Sequence, residues 1–257
     1  MNRLSSLKKL RDKLKSGDVS IGSWMQIPNG SVAEIMGNAD YDWVAVDLEH
    51  GSISIEQLPD LFRALELGDT LPLARLAQGN IKDCKQALDA GAAGVIVPMV
   101  ESAETLVSIR DACRWAPAGI RGVGYSRANL FGKNFDEYHK EAQAPFLVAM
   151  IENIRAINQL EKIFQVEGLD AVLIGPYDLS ASMGITAQFD NREFLFMMER
   201  IRKMAKEKEV PCGLHIVTPS KEQLQKQIKE GYSFIAYAID AVFLNTFALK
   251  PKITPKY

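Results

Sequence analysis

The sequence has few cysteines and no long apolar run. Its three cysteines, Cys84, Cys113 and Cys212, lie far apart and show no C-x-x-C spacing, so each is expected to be a reduced, partly buried thiol. No apolar stretch approaches the roughly 20 residues that a membrane span requires. Residues 1–17 form an amphipathic, lysine-rich pattern without the apolar centre of an export signal. This pattern predicts a surface helix and a cytoplasmic protein.

The chain also lacks an excess of either charge and any recognisable linker. Its 30 Lys and Arg residues stand against 32 Asp and Glu, for a formal net charge of −2. Without a basic stripe to neutralise phosphates, nucleic-acid binding is not predicted, whereas a small anionic ligand needs only a local positive site. No stretch is rich in Pro, Gly or Ser, so the sequence predicts a single domain over residues 1–257.

Short apolar runs alternate with helical patterns along the whole chain. This alternation predicts a parallel sheet, and eight units in about 250 residues fit a closed α/β architecture, the (β/α)8 or TIM barrel. The predicted strands are 19–26, 43–47, 71–75, 94–98, 146–151, 171–174, 210–217 and 234–239. The predicted helices between them are 31–37, 55–67, 81–90, 103–115, 154–165, 192–208 and 221–229.

One predicted connection, residues 117–144, is longer than the others. It joins the fourth predicted helix to the fifth predicted strand, and its length indicates a lid or a subunit contact. Arg121 and Arg127 within it could serve an anionic substrate or a neighbouring subunit. The segment Gly122-Val123-Gly124 does not directly join a strand to a helix, so it is not a dinucleotide-binding fingerprint. We therefore predict a functional or interface segment here.

Acidic side chains follow several predicted strands at the points where the strands end. Asp47-Leu48-Glu49-His50 closes the second strand, Glu152 follows the fifth, and Asp178 follows the sixth after a short turn. Carboxyl ends of barrel strands carry the chemistry in this fold, and a hard divalent cation prefers oxygen ligands. Glu152 and Asp178 are therefore candidate metal ligands. The alternative is that each acid only caps the helix that follows it.

Histidines and one arginine complete the candidate set. His50 is the best candidate for a general base, because imidazole titrates near neutral pH. His139 lies among charged neighbours and is expected at the surface, whereas His215 is either a satisfied core residue or a group facing the barrel mouth. Arg75 ends the third strand, where its forked donors suit a carboxylate or an enolate. No predicted strand contains lysine, so a Schiff-base mechanism has no evident nucleophile.

The order and spacing of these motifs resemble the HpcH/HpaI aldolase family, the metal-dependent class II pyruvate aldolases. The resemblance extends over nearly the whole chain, from Gly22 to Leu249. The motifs that carry it are Asp47-Leu48-Glu49-His50-Gly51, Arg75, Val97-Pro98-Met99-Val100, Arg121-Gly122-Val123-Gly124, Ile151-Glu152 and Gly175-Pro176-Tyr177-Asp178-Leu179-Ser180.

The resemblance implies a TIM barrel whose C-terminal helix, near residues 238–249, is exchanged between subunits of a homo-oligomer, usually a hexamer. It implies Mg²⁺, Mn²⁺ or Co²⁺ held by Glu152 and Asp178. The implied reaction is reversible cleavage of a 4-hydroxy-2-oxo acid to pyruvate and an aldehyde, through a metal-stabilised pyruvate enolate.

The resemblance also implies individual roles. Arg75 matches the arginine that steadies the enolate, His50 matches the acid–base histidine, and Asp89 matches the aspartate that pairs with that histidine. Backbone amides at Tyr177 and Asp178 match those that hold the pyruvate carboxylate.

Several residues depart from the family pattern, and they leave the aldehyde specificity open. Met150 stands where some members have a glutamine near the metal, Tyr177 replaces a small residue, and Leu48 replaces a common glycine. His215 is a further candidate residue of the mouth. Two alternative functions are a citrate-lyase-like carbon–carbon lyase acting on a CoA thioester, and a catalytically idle barrel with an assembly or ligand-sensing role.

Overall fold

The computed structural model, which describes residues 1–251, has eight parallel strands that close into a barrel in sequence order. The strands are β1 (Ser20–Met25), β2 (Trp43–Asp47), β3 (Leu71–Arg75), β4 (Gly94–Val97), β5 (Phe146–Ile151), β6 (Ala171–Ile174), β7 (Cys212–Ile216) and β8 (Phe234–Ile239). Pairing of β8 with β1 closes the barrel. The predicted TIM barrel is confirmed. Residues 252–257, the end of the predicted domain, lie outside the described residues.

Helices connect the strands. They are α1 (Arg3–Lys15), α2 (Gly30–Gly37), α3 (Leu58–Leu67), α4 (Ile81–Ala90), α5 (Ala103–Cys113), α6 (Phe135–Glu141), α7 (Ile154–Ile157), α8 (Leu160–Phe164), α9 (Pro176–Ser182), α10 (Arg192–Glu207), α11 (Lys221–Lys229) and α12 (Asp240–Phe247). Two predictions were too simple. The predicted helix 154–165 is divided into α7 and α8, and the connection 117–144 contains a 3₁₀ helix (Arg127–Gly132) and α6.

Helix α1 lies at the amino ends of the strands and closes that end of the barrel. Its Leu7, Leu10 and Leu14 are buried and pack into the same apolar cluster as the inward-facing strand residues. Arg11 on the same helix donates to both carboxylate oxygens of Asp170, at 2.6 and 2.9 Å. The predicted N-terminal surface helix thus has one face in the core, which leaves the opposite end of the barrel as its open mouth.

Alternate strands contribute one side chain each to the layer nearest that mouth. Strands β1, β3, β5 and β7 supply Trp24, Arg75, Met150 and His215, which all line one cavity. Layers of four side chains from alternate strands are the usual way in which a TIM barrel fills its interior. Below this layer the interior is apolar apart from a hydrogen bond from Trp43 to Ser20, so the charged side chains inside the barrel lie at the mouth.

Strand β8 carries a bulge beside this layer. Gly22 pairs with Ala236 and Trp24 pairs with Ile239, so β8 has one more residue than β1 over the same interval. Ala238 lies in the bulge with φ of +57°, a left-handed conformation that is unfavourable for a residue with a Cβ atom. Bulges of this kind redirect backbone groups next to functional sites.

Large apolar side chains are exposed in the long connection and around the last helix. They are Ile120, Val123, Tyr125, Leu130 and Phe131 in the connection, and Leu244, Phe247 and Leu249 in and after α12. Exchange of α12 between subunits and assembly into a hexamer stay predictions. None of the helices in residues 1–251 has the length and apolar character to cross a membrane.

Candidate active site

A cavity of about 290 Å³ opens at the carboxyl ends of the strands. Its walls include four of the predicted site residues, His50, Arg75, Tyr177 and Asp178, and also His215. The carboxyl ends of parallel strands meet at one rim, which explains why residues as far apart in sequence as His50 and His215 converge here. The cavity thus brings together His50, Arg75, Tyr177 and Asp178, whereas the predicted site residues Glu152 and Asp89 are not among its lining residues.

Arg75 is fixed in the floor of the cavity by two carboxylates. Its Nε and Nη2 donate to the two oxygens of Asp47, each at 2.8 Å, in a bidentate pair. Its Nη1 donates to Glu49, and its guanidinium lies 5.6 Å from the centre of the Trp24 ring. These contacts use three of the five guanidinium N–H groups, so Nη1 and Nη2 each keep one N–H that can face a substrate anion.

Asp47 is completely buried and its carboxylate is saturated with donors. Besides Arg75, it accepts hydrogen bonds from the side chains of Trp24 and Gln26 and from the backbone amides of Glu49 and His50, at 2.9 to 3.2 Å. Burial by itself raises the pKa of Asp47, but the hydrogen bond and charge of Arg75 outweigh burial and lower the pKa to about 2. Asp47 therefore stays ionised and orients Arg75 rather than meeting a substrate.

Glu152 is buried between the turns that follow β4 and β6. Its Oε1 accepts the backbone N–H of Met99 at 2.6 Å, and a Cβ atom placed on Gly175 would lie 2.5 Å from its Oε2. Burial, reinforced by the nearby charges of Asp178 and Glu49, raises the pKa of Glu152 to about 7. The carboxylate thus occupies a space that only glycine at position 175 leaves open.

Asp178 and Tyr177 belong to the first turn of α9, which begins at Pro176 with Gly175 as its N-cap. Both side chains are exposed at the cavity wall, and the Tyr177 ring packs edge-on against Phe189 with 5.0 Å between ring centres. The first backbone N–H groups of a helix have no partner within the helix. The amides of Tyr177 and Asp178 are therefore available to an anionic group in the cavity.

Three carboxylates, those of Glu49, Glu152 and Asp178, lie within electrostatic range of one another. Burial, followed by the charges of Asp178 and Glu49, raises the pKa of Glu152. Burial, followed by the charges of Asp47 and Asp178, raises the pKa of Glu49. Within residues 1–251 no group of three or more His, Cys, Asp and Glu side chains is arranged to hold a metal ion. Glu152 and Asp178 carry oxygen donors of the kind that a hard divalent cation prefers, and water or substrate oxygens would have to complete the coordination of such a cation.

His50 and Asp89, which the resemblance pairs, are not brought together within one chain. His50 is exposed at the cavity, while Asp89 is the last residue but one of α4. Because α4 runs from the mouth back towards the amino ends of the strands, Asp89 lies about 12 Å further down the helix than its first residue. Burial raises the pKa of Asp89, and the charged groups that oppose this are Arg121 and Lys85.

Of the two interpretations of His215, the structure supports the group at the mouth. Its Nε2 lies 3.1 Å from the backbone carbonyl of Ala238 in the β8 bulge, and its ring lies against Trp24 with 4.9 Å between ring centres. Burial lowers the pKa of His215 to about 4. The imidazole is therefore neutral near pH 7.

Sequence reasoning missed three contributors to this site. It included Asp47 in a motif without recognising that the carboxylate orients Arg75, and it gave no function to the amide of Met99 or to Gly175. One signal was present for Asp47: it shares an inward-facing register with Trp43 and Ala45, so its charge had to find a buried partner. The Met99 amide carried no signal, because its direction depends on a backbone φ of +51°.

Comparisons with known proteins agree with this geometry. The family model described as HpcH/HpaI aldolase/citrate lyase matches residues 20–245. A hydroxypyruvate/pyruvate aldolase of Roseobacter denitrificans is 36% identical over 93% of this chain and 94% of its own length. A 2-keto-3-deoxy-L-rhamnonate aldolase of Salmonella gallinarum is 34% identical over 98% and 94%. A solved HpcH/HpaI aldolase/citrate lyase family protein of Burkholderia cenocepacia superposes with a TM-score of 0.87 at 26% identity, covering 93% of this chain and 96% of that one.

Proposed function

This chain belongs to the HpcH/HpaI aldolase/citrate lyase family, and we propose that it is a divalent-metal-dependent aldolase. The proposed reaction is reversible cleavage of a 4-hydroxy-2-oxo acid into pyruvate and an aldehyde. Similarity to relatives named as pyruvate and keto-deoxy sugar acid aldolases supports this reaction class. The preferred metal among Mg²⁺, Mn²⁺ and Co²⁺ is left to experiment, because two carboxylates accept several divalent ions.

The observation that carries the proposal is the fixed guanidinium of Arg75, which lines the same cavity as Asp178 and lies within electrostatic range of Glu152. A 2-oxo acid presents a carboxylate and a keto oxygen, which need positive charge and N–H donors. Arg75 offers two free N–H groups to the keto oxygen, and the amides of Tyr177 and Asp178 offer two to the carboxylate. Glu152 and Asp178 would hold the divalent cation, which would supply Lewis-acid stabilisation of the charge that develops on the keto oxygen.

Cleavage requires one proton to leave and one carbon–carbon bond to break. In the proposed mechanism, His50 accepts the proton of the C4 hydroxyl group while the electrons of the C3–C4 bond move onto the pyruvate fragment as an enolate. Arg75, already oriented by Asp47, donates to the enolate oxygen without further rearrangement, which is the condition for effective electrostatic stabilisation. Protonation of C3 then gives pyruvate, and the C4 fragment leaves as the aldehyde.

We further propose that Asp89 acts on His50 only between subunits. The position of Asp89 near the end of α4 places it away from the mouth of its own barrel. A pairing with His50 would therefore require Asp89 of the partner subunit. The exposed apolar side chains of the long connection and α12 provide surface for such an assembly.

The test is pyruvate release from a series of 4-hydroxy-2-oxo acids, with Mg²⁺, Mn²⁺ or Co²⁺ and then with EDTA. We expect release that requires metal, and a large loss of turnover in Arg75→Lys and His50→Asn but not in Arg155→Lys, an exposed control. No release by folded, metal-loaded protein from any substrate would contradict the proposal. In that case, cleavage of a CoA thioester would identify the protein as the lyase alternative. The absence of any activity would instead support the catalytically idle barrel.

A further inference from the structure

The cavity has two chemically different sides. Arg75, His50 and Asp178 form a charged side next to strands β2, β3 and β6. The opposite side, around β7, β8 and β1, contains the apolar surfaces of Trp24, Val217 and Ile239 and two polar side chains, Gln26 and His215. Gln26 donates to Asp47 and so belongs to the contacts of the charged side. The proposed aldolase mechanism does not use His215, which is therefore a polar group in a mostly apolar wall with no assigned role.

The orientation of this imidazole is fixed by its neighbours. The carbonyl of Ala238 can only accept a hydrogen bond, so the 3.1 Å contact requires the proton on Nε2. That carbonyl is directed towards β7 by the bulge, in which Ala238 adopts an unfavourable left-handed conformation. The Trp24 ring, 4.9 Å away between centres, covers one side of the imidazole. Both the ring position and the tautomer are therefore determined before any substrate arrives.

A fixed tautomer determines what the other nitrogen can do. Since the neutral imidazole carries its single proton on Nε2, Nδ1 has a free lone pair and acts only as an acceptor. Nδ1 has no hydrogen-bond partner among residues 1–251. An acceptor in an apolar wall selects for a ligand that brings a donor, because a ligand without one leaves the polar atom unpaired.

We propose that His215 is a specificity-determining residue that recognises a hydroxyl group of the substrate, with Nδ1 accepting the hydroxyl proton. This inference rests on the proposed aldolase function. It implies that the substrate carries a hydroxyl group on a carbon that faces β7. The apolar remainder of the wall suits the C–H faces of such a substrate. A purely aliphatic substrate would satisfy Trp24 and Ile239 but leave Nδ1 without a partner.

A hydroxyl group can reach this wall from either reacting partner. It is carried by C3 when the nucleophile is a 3-hydroxylated 2-oxo acid, or by the carbon next to the carbonyl when the aldehyde is hydroxylated. Condensation assays with a two-by-two set separate these sources. The nucleophile is pyruvate or hydroxypyruvate, and the aldehyde is acetaldehyde or glycolaldehyde.

Three substitutions at position 215 distinguish the contributions of the two ring nitrogens to substrate recognition. His215→Leu removes both polar atoms. His215→Asn places an amide oxygen near the position of Nδ1 and keeps the acceptor, whereas His215→Gln places the amide near Nε2 and keeps only the contact to Ala238. His139→Leu, at an exposed position of α6, is the matched control for replacing a histidine.

We expect the wild-type protein to prefer one hydroxylated partner by about tenfold in kcat/KM, the factor that one neutral hydrogen bond supplies. His215→Leu and His215→Gln should abolish this preference, while His215→Asn and His139→Leu should retain it. A preference confined to the nucleophile arm places the hydroxyl at C3, and one confined to the aldehyde arm places it on the aldehyde. Equal ratios in all variants would overturn the inference.

Calorimetric binding of pyruvate and hydroxypyruvate to the metal-loaded protein provides a second measurement. If the nucleophile carries the hydroxyl, His215→Leu should weaken hydroxypyruvate more than pyruvate. Failure of the proposed function would appear differently, as no condensation of any pair by the wild-type protein. Condensation with a ratio that does not depend on position 215 would contradict only the role of His215.

Discussion

Breaking the ion pair between Asp47 and Arg75 should lower the free energy of unfolding more than breaking any ion pair at the surface. In Asp47→Asn the side-chain volume is retained, but the amide NH2 group would face N–H donors that now point at a carboxylate oxygen. Removing one member of a buried pair costs about 3–5 kcal/mol when the other charge is left unpaired. Because Arg75 keeps Glu49 as a partner, we expect the lower end of this range, about 3 kcal/mol. The lowering of the Asp47 pKa from 3.8 to about 2 gives a floor of about 2 kcal/mol.

The assay is urea unfolding followed by tryptophan fluorescence. With a slope of about 3 kcal/mol per molar urea, the midpoint of Asp47→Asn at pH 7 should fall by about 1 M. The contribution of Asp47 to stability should also depend on pH. Because the folded pKa of Asp47 is depressed, its contribution is present above pH 3.8 and is lost as the pH falls through about 2. The difference between wild type and variant should therefore shrink in acid.

Activity provides a second consequence of the same change. Arg75 loses the charged partner that fixes two of its nitrogens, and displacement of a catalytic group by about 1 Å can cost about 100-fold in rate. We expect a fall of that order in kcat/KM. Asp170→Asn is the matched control, since Asp170 also forms a bidentate pair, with Arg11, but at the closed end of the barrel. It should lower stability and leave pyruvate release unchanged.

The role given to Asp47 would be refuted if the free energy of unfolding of Asp47→Asn lay within about 1 kcal/mol of the wild-type value and the variant kept normal turnover. If Asp47→Asn does not fold, Glu49→Gln tests the same arrangement. Glu49 is more exposed than Asp47 and makes a single contact with Arg75. Its replacement should therefore cost little stability and still reduce turnover.

The metal-free protein should lose up to about 3 kcal/mol of stability between pH 5 and pH 8. Burial raises the pKa of Glu152 in the folded protein from 4.5 to about 7. Stability therefore falls as the pH rises through that interval. Thermal unfolding in EDTA measures this, and Glu152→Gln should flatten the profile. Gly175→Ala should weaken Mn²⁺ binding by about tenfold in calorimetry, because the new Cβ would lie 2.5 Å from Glu152 Oε2, while Gly30→Ala, with no atom within 4 Å, should not. Mixing inactive His50→Asn with inactive Asp89→Asn should restore part of the activity if the two residues act between subunits, and none if they act within one chain.

The strands were predictable because burial on both faces leaves a plain signal in the sequence. Strands β2, β3, β5, β6 and β8 begin and end at the predicted residues, and the other three differ by one or two positions at their ends. A parallel strand covered on both faces is a continuous apolar run, and polar residues bound it sharply. The short helices α6, α7 and α8 were not predicted as separate helices, because helices of four to seven residues contain too few turns to show a clear hydrophobic period in the sequence.

The position of the candidate site could be predicted from the sequence, but the hydrogen-bond partners of its residues could not. Arg75, Glu152 and Asp178 were selected as candidates because a charged residue at the end of an apolar strand needs a partner or a ligand, and their roles stay predictions. The bond from His215 to Ala238 was not predictable, because it depends on a bulge in β8 that no residue type announces. The separation of Asp89 from His50 was equally hidden, since a motif gives the order of residues and not the chain that supplies them.

The arrangement of the mouth layer explains how such a barrel can keep its reaction while its substrate changes. Arg75 on β3 is tied to Asp47 and Glu49, so replacing any one of the three disturbs the others. Positions 150 and 215, on β5 and β7, belong to the same layer but lie outside this network. Met150 makes no hydrogen bond that a substitution would break, and His215 is bonded only to a backbone carbonyl. Substrate selection is therefore expected to vary at positions 150 and 215, where a change breaks none of the hydrogen bonds that hold Arg75.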